Sequence, residues 1–467
     1  MSETQTFPGQ TVQRLPEGPA TDIYEGIRDL PVISPHGHVP VEWFVDDAPF
    51  RDPTDLLITP DHYINRILHA NGVDLADLGV GRDDFSPEAA RNAFHLLAEH
   101  WSDFLGTPIR LWLDAELSGL FGVTKRLSPQ AADEIYDTIA DALATPAFRP
   151  RALLDRFNVE VLTTTDDPAD DLSGHRKLAE DPTFTGRVLP TFRPDIYLEP
   201  TRPDWPSLVE KLGSAANIDT GDYAGFVEAM ADRRRYFKDH GAVSSDHSHA
   251  DLGSQRLPDA EATRIYAAAL AGTATDAEAT ALRRHLFNDQ ARLAQDDGLV
   301  MTVHPSIARD HDLPGMQRYG ANIGADIPIP ASFTEPLRPL LNEYGNNPGF
   351  HFVAFTVDET MYSREIAPLA GYYRSFYIGD PWWFIDSPDA IGRFRRSVTE
   401  IAGFSRQAGF VDDTRALCSI PARHDMSRRT IAAFLGDLVD VGRLTGDDAA
   451  QAARDLVQTN PRKVFKL

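Results

Sequence analysis

Two histidines one residue apart, His36 and His38, close a short apolar run, Pro31-Val32-Ile33, just before a turn at Val39-Pro40. On an extended chain residues i and i+2 project to the same side. The two imidazoles therefore leave a strand end together and can hold one divalent ion, because neutral imidazole is a good ligand for zinc, manganese and related metals. A His-x-His pair on its own fits a surface or core pair equally well. What gives it chemistry is the rest of the chain. His304 follows Leu299–Val303, and Asp412-Asp413 follows Phe410-Val411. Two or three imidazoles and one carboxylate leave a position open for water or substrate, as a catalytic divalent site requires. Only one of Asp412 and Asp413 can face such an ion from a strand. Strand four ends in Ser245-Asp246-His247, with no lysine to bridge two metals, so one ion is expected rather than two.

The elements that must position these groups alternate. Strand-like runs at 32–33, 159–165, 187–192, 242–245, 299–303, 351–357, 376–379 and 410–411 each end in polar or ionisable residues, and helices separate them. Eight such units predict a (β/α)8 barrel of class α/β, whose active site lies at the C-terminal strand ends. The alternative, a doubly wound open sheet, would place polar residues only near a switch point. Helical patterns at 55–71, 87–104 and 128–143, the last with Ser128 as N-cap and Pro129 at its first position, are too much for one connection. They predict a helical insertion after strand one, about residues 41–150. Residues 208–235 and 259–296 also read as helices, the latter a longer excursion between strands four and five. Helices are expected again at 387–407 and 427–441. A short N-terminal arm, residues 1–21, precedes the barrel of 22–467.

The 467 residues, 42% of them hydrophobic, suffice for a large core. No apolar run spans a bilayer, no secretory leader is evident, and the single cysteine, Cys418, fits packing in a reducing cytoplasm. A net charge of −25 argues against nucleic-acid or anionic-membrane binding. An anionic substrate would need local arginines against that field.

In this order the segments resemble the amidohydrolase superfamily and, within it, the uronate isomerases (glucuronate isomerase family). They are His36-x-His38, Asp61-His62-Tyr63, Thr164-Thr165-Asp166-Asp167-Pro168, Leu189-Pro190-x-x-Arg193-Pro194-Asp195, Ser245-Asp246-His247, Trp382-Trp383-Phe384, Asp413-x-Arg415 and Arg423-His424. The resemblance runs from about Asp22 to the end. It departs at Gly37, where the family often has cysteine, at Gly379-Asp380-Pro381, and between Asp413 and Arg423, which is a residue longer. The last two are expected at the pocket rim.

The resemblance implies aldose–ketose isomerisation of hexuronates, D-glucuronate to D-fructuronate or D-galacturonate to D-tagaturonate, by proton transfer between C2 and C1. One divalent ion is implied, zinc first and manganese as the alternative. His36, His38 and Asp413 become its ligands, and His304 a ligand or a nearby substrate contact. Asp413 can also take a hydroxyl proton. Tyr63 becomes the C2–C1 proton shuttle, its alternative an ordinary amphipathic-helix tyrosine; His62 becomes its neighbour at the substrate. Arg193 and Arg415 can fork onto a carboxylate or pair with Asp195 and Asp413. Trp382 and Trp383 can stack on the sugar, with at least one in the core. His247, in the second pair His247-x-His249, is expected near the substrate rather than in a second metal centre. The partner is a small sugar acid, and a homo-oligomer is expected. The rival reading is a mononuclear metal-dependent hydrolase or deaminase on the same barrel; the strand-six histidine often used by deaminases is missing.

Overall fold

The computed structural model describes residues 13–330 and 332–467. Two parallel sheets follow the chain in order. The first holds β1 (Val32–Ser34), β2 (Val159–Thr163) and β3 (Arg187–Leu189); the second holds β4 (Ser244–His247), β5 (Val300–Val303), β6 (Phe352–Ala354) and β7 (Phe376–Ile378). Phe192, just beyond β3, joins them: its N–H donates to Ser244 O at 3.2 Å, and its carbonyl accepts from Asp246 N–H at 2.9 Å.

Residues 407–414 take the eighth position without forming a ladder. Ala408 N–H donates to Ile378 O at 2.8 Å, and His38 N–H donates to Thr414 O at 3.0 Å. The strand expected at Phe410-Val411 is interrupted because Gly409 and Asp413, with φ of +92° and +44°, turn left-handed on either side of it. The succession is that of an α/β barrel of eight parallel units, in which the C-terminal strand ends converge. All residues of β1, β5, β6 and β7 are buried, as strands covered on both faces must be.

The helices at His62–Ala70 and Ile420–Asp440 both reach the site. Of the expected arm, residues 1–12 lie outside the described residues, and from Pro19 the chain already forms α1 (Pro19–Glu25). The helix expected over 55–71 breaks at Ile58–Asp61, giving Pro53–Leu57 and then α2 (His62–Ala70). α3 (Pro388–Ala402) follows β7, and α4 (Ile420–Asp440) starts seven residues before the expected 427. Ser128 is not an N-cap: Ala131 N–H donates to Ser128 O at 3.0 Å in a turn, and the helix begins at Ala132.

The insertion after β1 shares one apolar cluster with β1, β2 and β3, through Val32, Leu162 and Val188, and with α4, through Ile420 and Met426. It is held against the barrel mouth by that burial. Between β5 and β6 the chain makes an excursion that the sequence pattern did not mark. A two-residue antiparallel pair, Ile307–Ala308 with Ile327–Pro328, carries the loop that bears Arg309, Asn322 and Asp326.

Candidate active site

A cavity of about 840 Å³ opens at the C-terminal strand ends. Its lining includes His36, His38, His62, Tyr63, Arg193, His304, Trp382, Trp383, Asp413 and Arg415, ten of the eleven residues singled out from the sequence. His247 is the exception; it is 1% exposed and does not line the cavity.

The centre is Asp413. Its left-handed backbone, tolerated by Asp because the short polar side chain bonds locally, turns the carboxylate inward. Oδ1 lies 3.3 Å from His36 Nε2 and 3.0 Å from His38 Nε2. These are close approaches rather than hydrogen bonds, since Oδ1 has no bond of acceptable geometry. Asp412 faces the other way and accepts from His424 Nε2 of α4 at 3.0 Å.

His304 completes the cluster. Its ring stacks between His36 (centroids 4.5 Å) and Phe355 (4.3 Å). Its Nδ1 donates to Asp246 Oδ1 at 2.7 Å, which leaves the Nε2 lone pair free; that atom is buried and has no partner. A carboxylate fixing the far nitrogen is the usual support of a metal-ligating imidazole. One ligand atom each of His36, His304 and Asp413 falls within 4.8 Å of the others. Orphaned lone pairs on buried imidazole and carboxylate suit a divalent cation of zinc-like chemistry. Gly379 permits the stack, since a Cβ there would meet the Phe355 ring at 2.3 Å.

Burial lowers His38 to about 4 and also lowers His304, whereas at His36 the effect of burial is outweighed by the charges of Asp246 and Asp413, which raise it. Burial pushes the Asp413 carboxyl up, but the charges and contacts of His36 and His38 outweigh it and hold it well below the usual range. Asp246 is held well below its ordinary value in the same way, burial being outweighed by His304 and His36.

The inserted helix α2 brings its first residues over the mouth. The Asp61 side chain caps it, accepting from Tyr63 N–H at 2.8 Å and Ile64 N–H at 3.3 Å. His62 is lowered to about 4 by burial and the nearby Arg415. Tyr63 OH donates to Asp386 Oδ2 at 2.6 Å, and Arg423 Nη1 donates to the same oxygen at 3.0 Å. Burial, with Asp386 beside it, raises the phenol well above 10, and burial also raises Asp386. Neither Asp386 nor Asp246 was assigned a role from the sequence. Asp386 lies 323 residues from Tyr63, and no local pattern links the two.

Five arginines line the cavity, and four are engaged by carboxylates. Arg193 holds Asp195 at 3.1 Å and Asp246 at 3.6 Å, Arg202 holds Asp204 at 2.8 Å, Arg309 holds Asp326 at 2.6 Å, and Arg423 holds Asp386. Arg415 donates only to the neutral Asn322 Oδ1, at 3.1 Å, and among the described residues no carboxylate pairs with it. Both tryptophans face the cavity at 4% and 9% exposure, and both indole N–H groups lack partners among the described residues. The Asp380 turn does not line the cavity, contrary to expectation: the carboxylate is fully buried against Arg395 of α3.

Comparison with known proteins gives the chain a family. The model of the glucuronate isomerase family matches residues 14–465. The uronate isomerase of Cutibacterium acnes is 58% identical over 448 residues, covering 96% of this chain and 95% of the relative. That of Corynebacterium efficiens is 50% identical and covers 97% of each. The crystal structure of glucuronate isomerase from Caulobacter crescentus superposes with a TM-score of 0.94 at 40% identity, over 100% of this chain and 97% of that one. With the family model spanning nearly its whole length and the His–Asp cluster at the mouth of the shared fold, this chain belongs to the glucuronate isomerase family.

Proposed function

We propose that this protein interconverts an aldehyde hexuronate and its keto isomer, D-glucuronate with D-fructuronate or D-galacturonate with D-tagaturonate, with one divalent ion held by His36, His38, His304 and Asp413. Zinc fits the imidazole–carboxylate donor set best, and manganese is the alternative. When bound, the ion supplies Lewis acidity toward a substrate oxygen. The observation that carries the reading is the single cavity that joins this cluster to Arg415, the one lining arginine without a carboxylate partner among the described residues.

Arg415 takes the substrate carboxylate, a charge-assisted contact for which its guanidinium is free. Trp382 and Trp383 wall the sugar chain, and Arg193, His62 and His247 support the pocket around it. Asp413, ionised, takes the C2 hydroxyl proton as the carbonyl migrates and delivers it to the C1 oxygen, which becomes the new hydroxyl. Tyr63 carries the proton between C2 and C1. Its oxygen takes the C2 proton as its own hydroxyl proton passes to Asp386, and the reverse transfer delivers a proton to C1. Arg423 steadies the Asp386 charge. Burial has already raised Asp386 toward accepting a proton. We further place the enzyme in the cytoplasm, as a homo-oligomer.

Arg415→Met is expected to raise KM for the uronate by about ten- to a hundredfold, the loss of a charge-assisted hydrogen bond, with a smaller change in kcat. Steady-state kinetics would measure it. An unchanged KM would move the carboxylate to another arginine.

A further inference from the structure

Behind the cavity wall stands a second group of metal-ligating side chains. Asp195 opens the turn Asp195–Leu198 after β3, His247 ends β4, and His249 follows two residues later. One ligand atom of each lies within 4.8 Å of the others. Both imidazoles are buried, at 1% and 3% exposure. His247 Nε2 faces Ser245 Oγ at 3.3 Å and leaves Nδ1 without a partner. His249 Nδ1 donates to Glu199 Oε1 at 2.8 Å and leaves Nε2 without a partner. That Nε2 lies 3.7 Å from Asp195 Oδ1, too far for a hydrogen bond.

Two buried imidazole nitrogens without partners are costly as they stand, at about 1–3 kcal/mol for each unsatisfied group. A cation held by the three side chains would give both imidazoles a partner and balance the carboxylate charge of Asp195. Bonds of about 2.0–2.2 Å to a tetrahedral zinc set neighbouring ligand atoms about 3.4 Å apart, close to the separation found between His249 Nε2 and Asp195 Oδ1. Glu199, itself 3.8 Å from Arg283, fixes the far nitrogen of His249 as supporting carboxylates do for metal-bound imidazoles. Burial lowers His247 to about 3, which keeps its ring neutral. Asp195 and Glu199 line the large cavity, which offers the ion a route from solvent.

We propose that Asp195, His247 and His249 form a second, structural binding site for a divalent cation of zinc type, distinct from the His36–His304–Asp413 cluster. The site ties the ends of strands three and four together. Ser248 between the histidines already donates its N–H to both Asp195 oxygens at 3.0 Å and its hydroxyl to His304 O at 2.8 Å.

The test is zinc counting by equilibrium dialysis of the metal-stripped full chain, with anomalous diffraction at the zinc edge. Wild type should take two Zn2+ per chain, one peak lying between Asp195, His247 and His249. His249→Gln should take one, and His36→Ala should keep the peak at this second site. Should His249→Gln fail to fold, Glu199→Gln, which removes no ligand, should weaken only the second zinc by about 10- to 100-fold. One zinc in wild type that His36→Ala abolishes would overturn the second site and leave the proposed catalytic one standing. A second zinc retained at full affinity in both His249→Gln and Glu199→Gln would also overturn it, as adventitious binding elsewhere.

Discussion

Asp413→Asn should lower kcat by about 10³-fold, within the range that a positioned acid–base group contributes. The substitution keeps the side-chain volume. It also keeps the left-handed backbone at φ +44°, since Asn tolerates that region as Asp does. What it removes is the negative charge that His36 and His38 approach at 3.3 and 3.0 Å. The loss would therefore report chemistry and not misfolding. Asp412→Asn is the matched control, because Asp412 bonds His424 of α4 and faces away from the cluster; its turnover should stay much closer to wild type. Turnover of Asp413→Asn within tenfold of wild type would remove Asp413 from the reaction.

Arg395→Met should cost about 3–5 kcal/mol of stability, the usual penalty for leaving one charge of a buried pair alone. Arg395 and Asp380 are both at 0% exposure, and Arg395 also donates to Gln407 in the eighth barrel segment. The methionine fills most of the volume but abandons the Asp380 carboxylate in the core. Denaturant unfolding of Arg395→Met and of the double variant Arg395→Met, Asp380→Asn separates the causes. The double variant should recover much of the loss, because the stranded charge is gone. An unfolding midpoint for Arg395→Met equal to wild type would show that the pair carries no such weight.

The site was legible where its chemistry sits at strand ends. His36 and His38 follow an apolar run at a two-residue spacing, and the repeated strand–helix unit says that distant ends meet. Alternation could not choose between Asp412 and Asp413, because the left-handed turn at Asp413 suspends the rule on which the choice depended. The early start of α4 was hidden because that helix buries Arg423, His424, Ser427 and Arg428, which erases the apolar period. Asp386 and Asp246 escaped for a related reason: each acts by holding another side chain, and such partners are fixed by packing across the fold. The Asp380 turn was expected at the rim on its position after strand seven alone; its buried partner on α3 takes it inward.

The reaction itself is best tested by proton NMR of the zinc-loaded protein with D-glucuronate and with D-galacturonate in D2O. Expected are the signals of the matching keto-uronate, lost on chelation and restored by zinc or manganese, with deuterium entering the product as transfer through Tyr63 and Asp386 exchanges with solvent. A folded, metal-loaded protein that turns over neither sugar, or one whose turnover survives complete removal of metal, would contradict it.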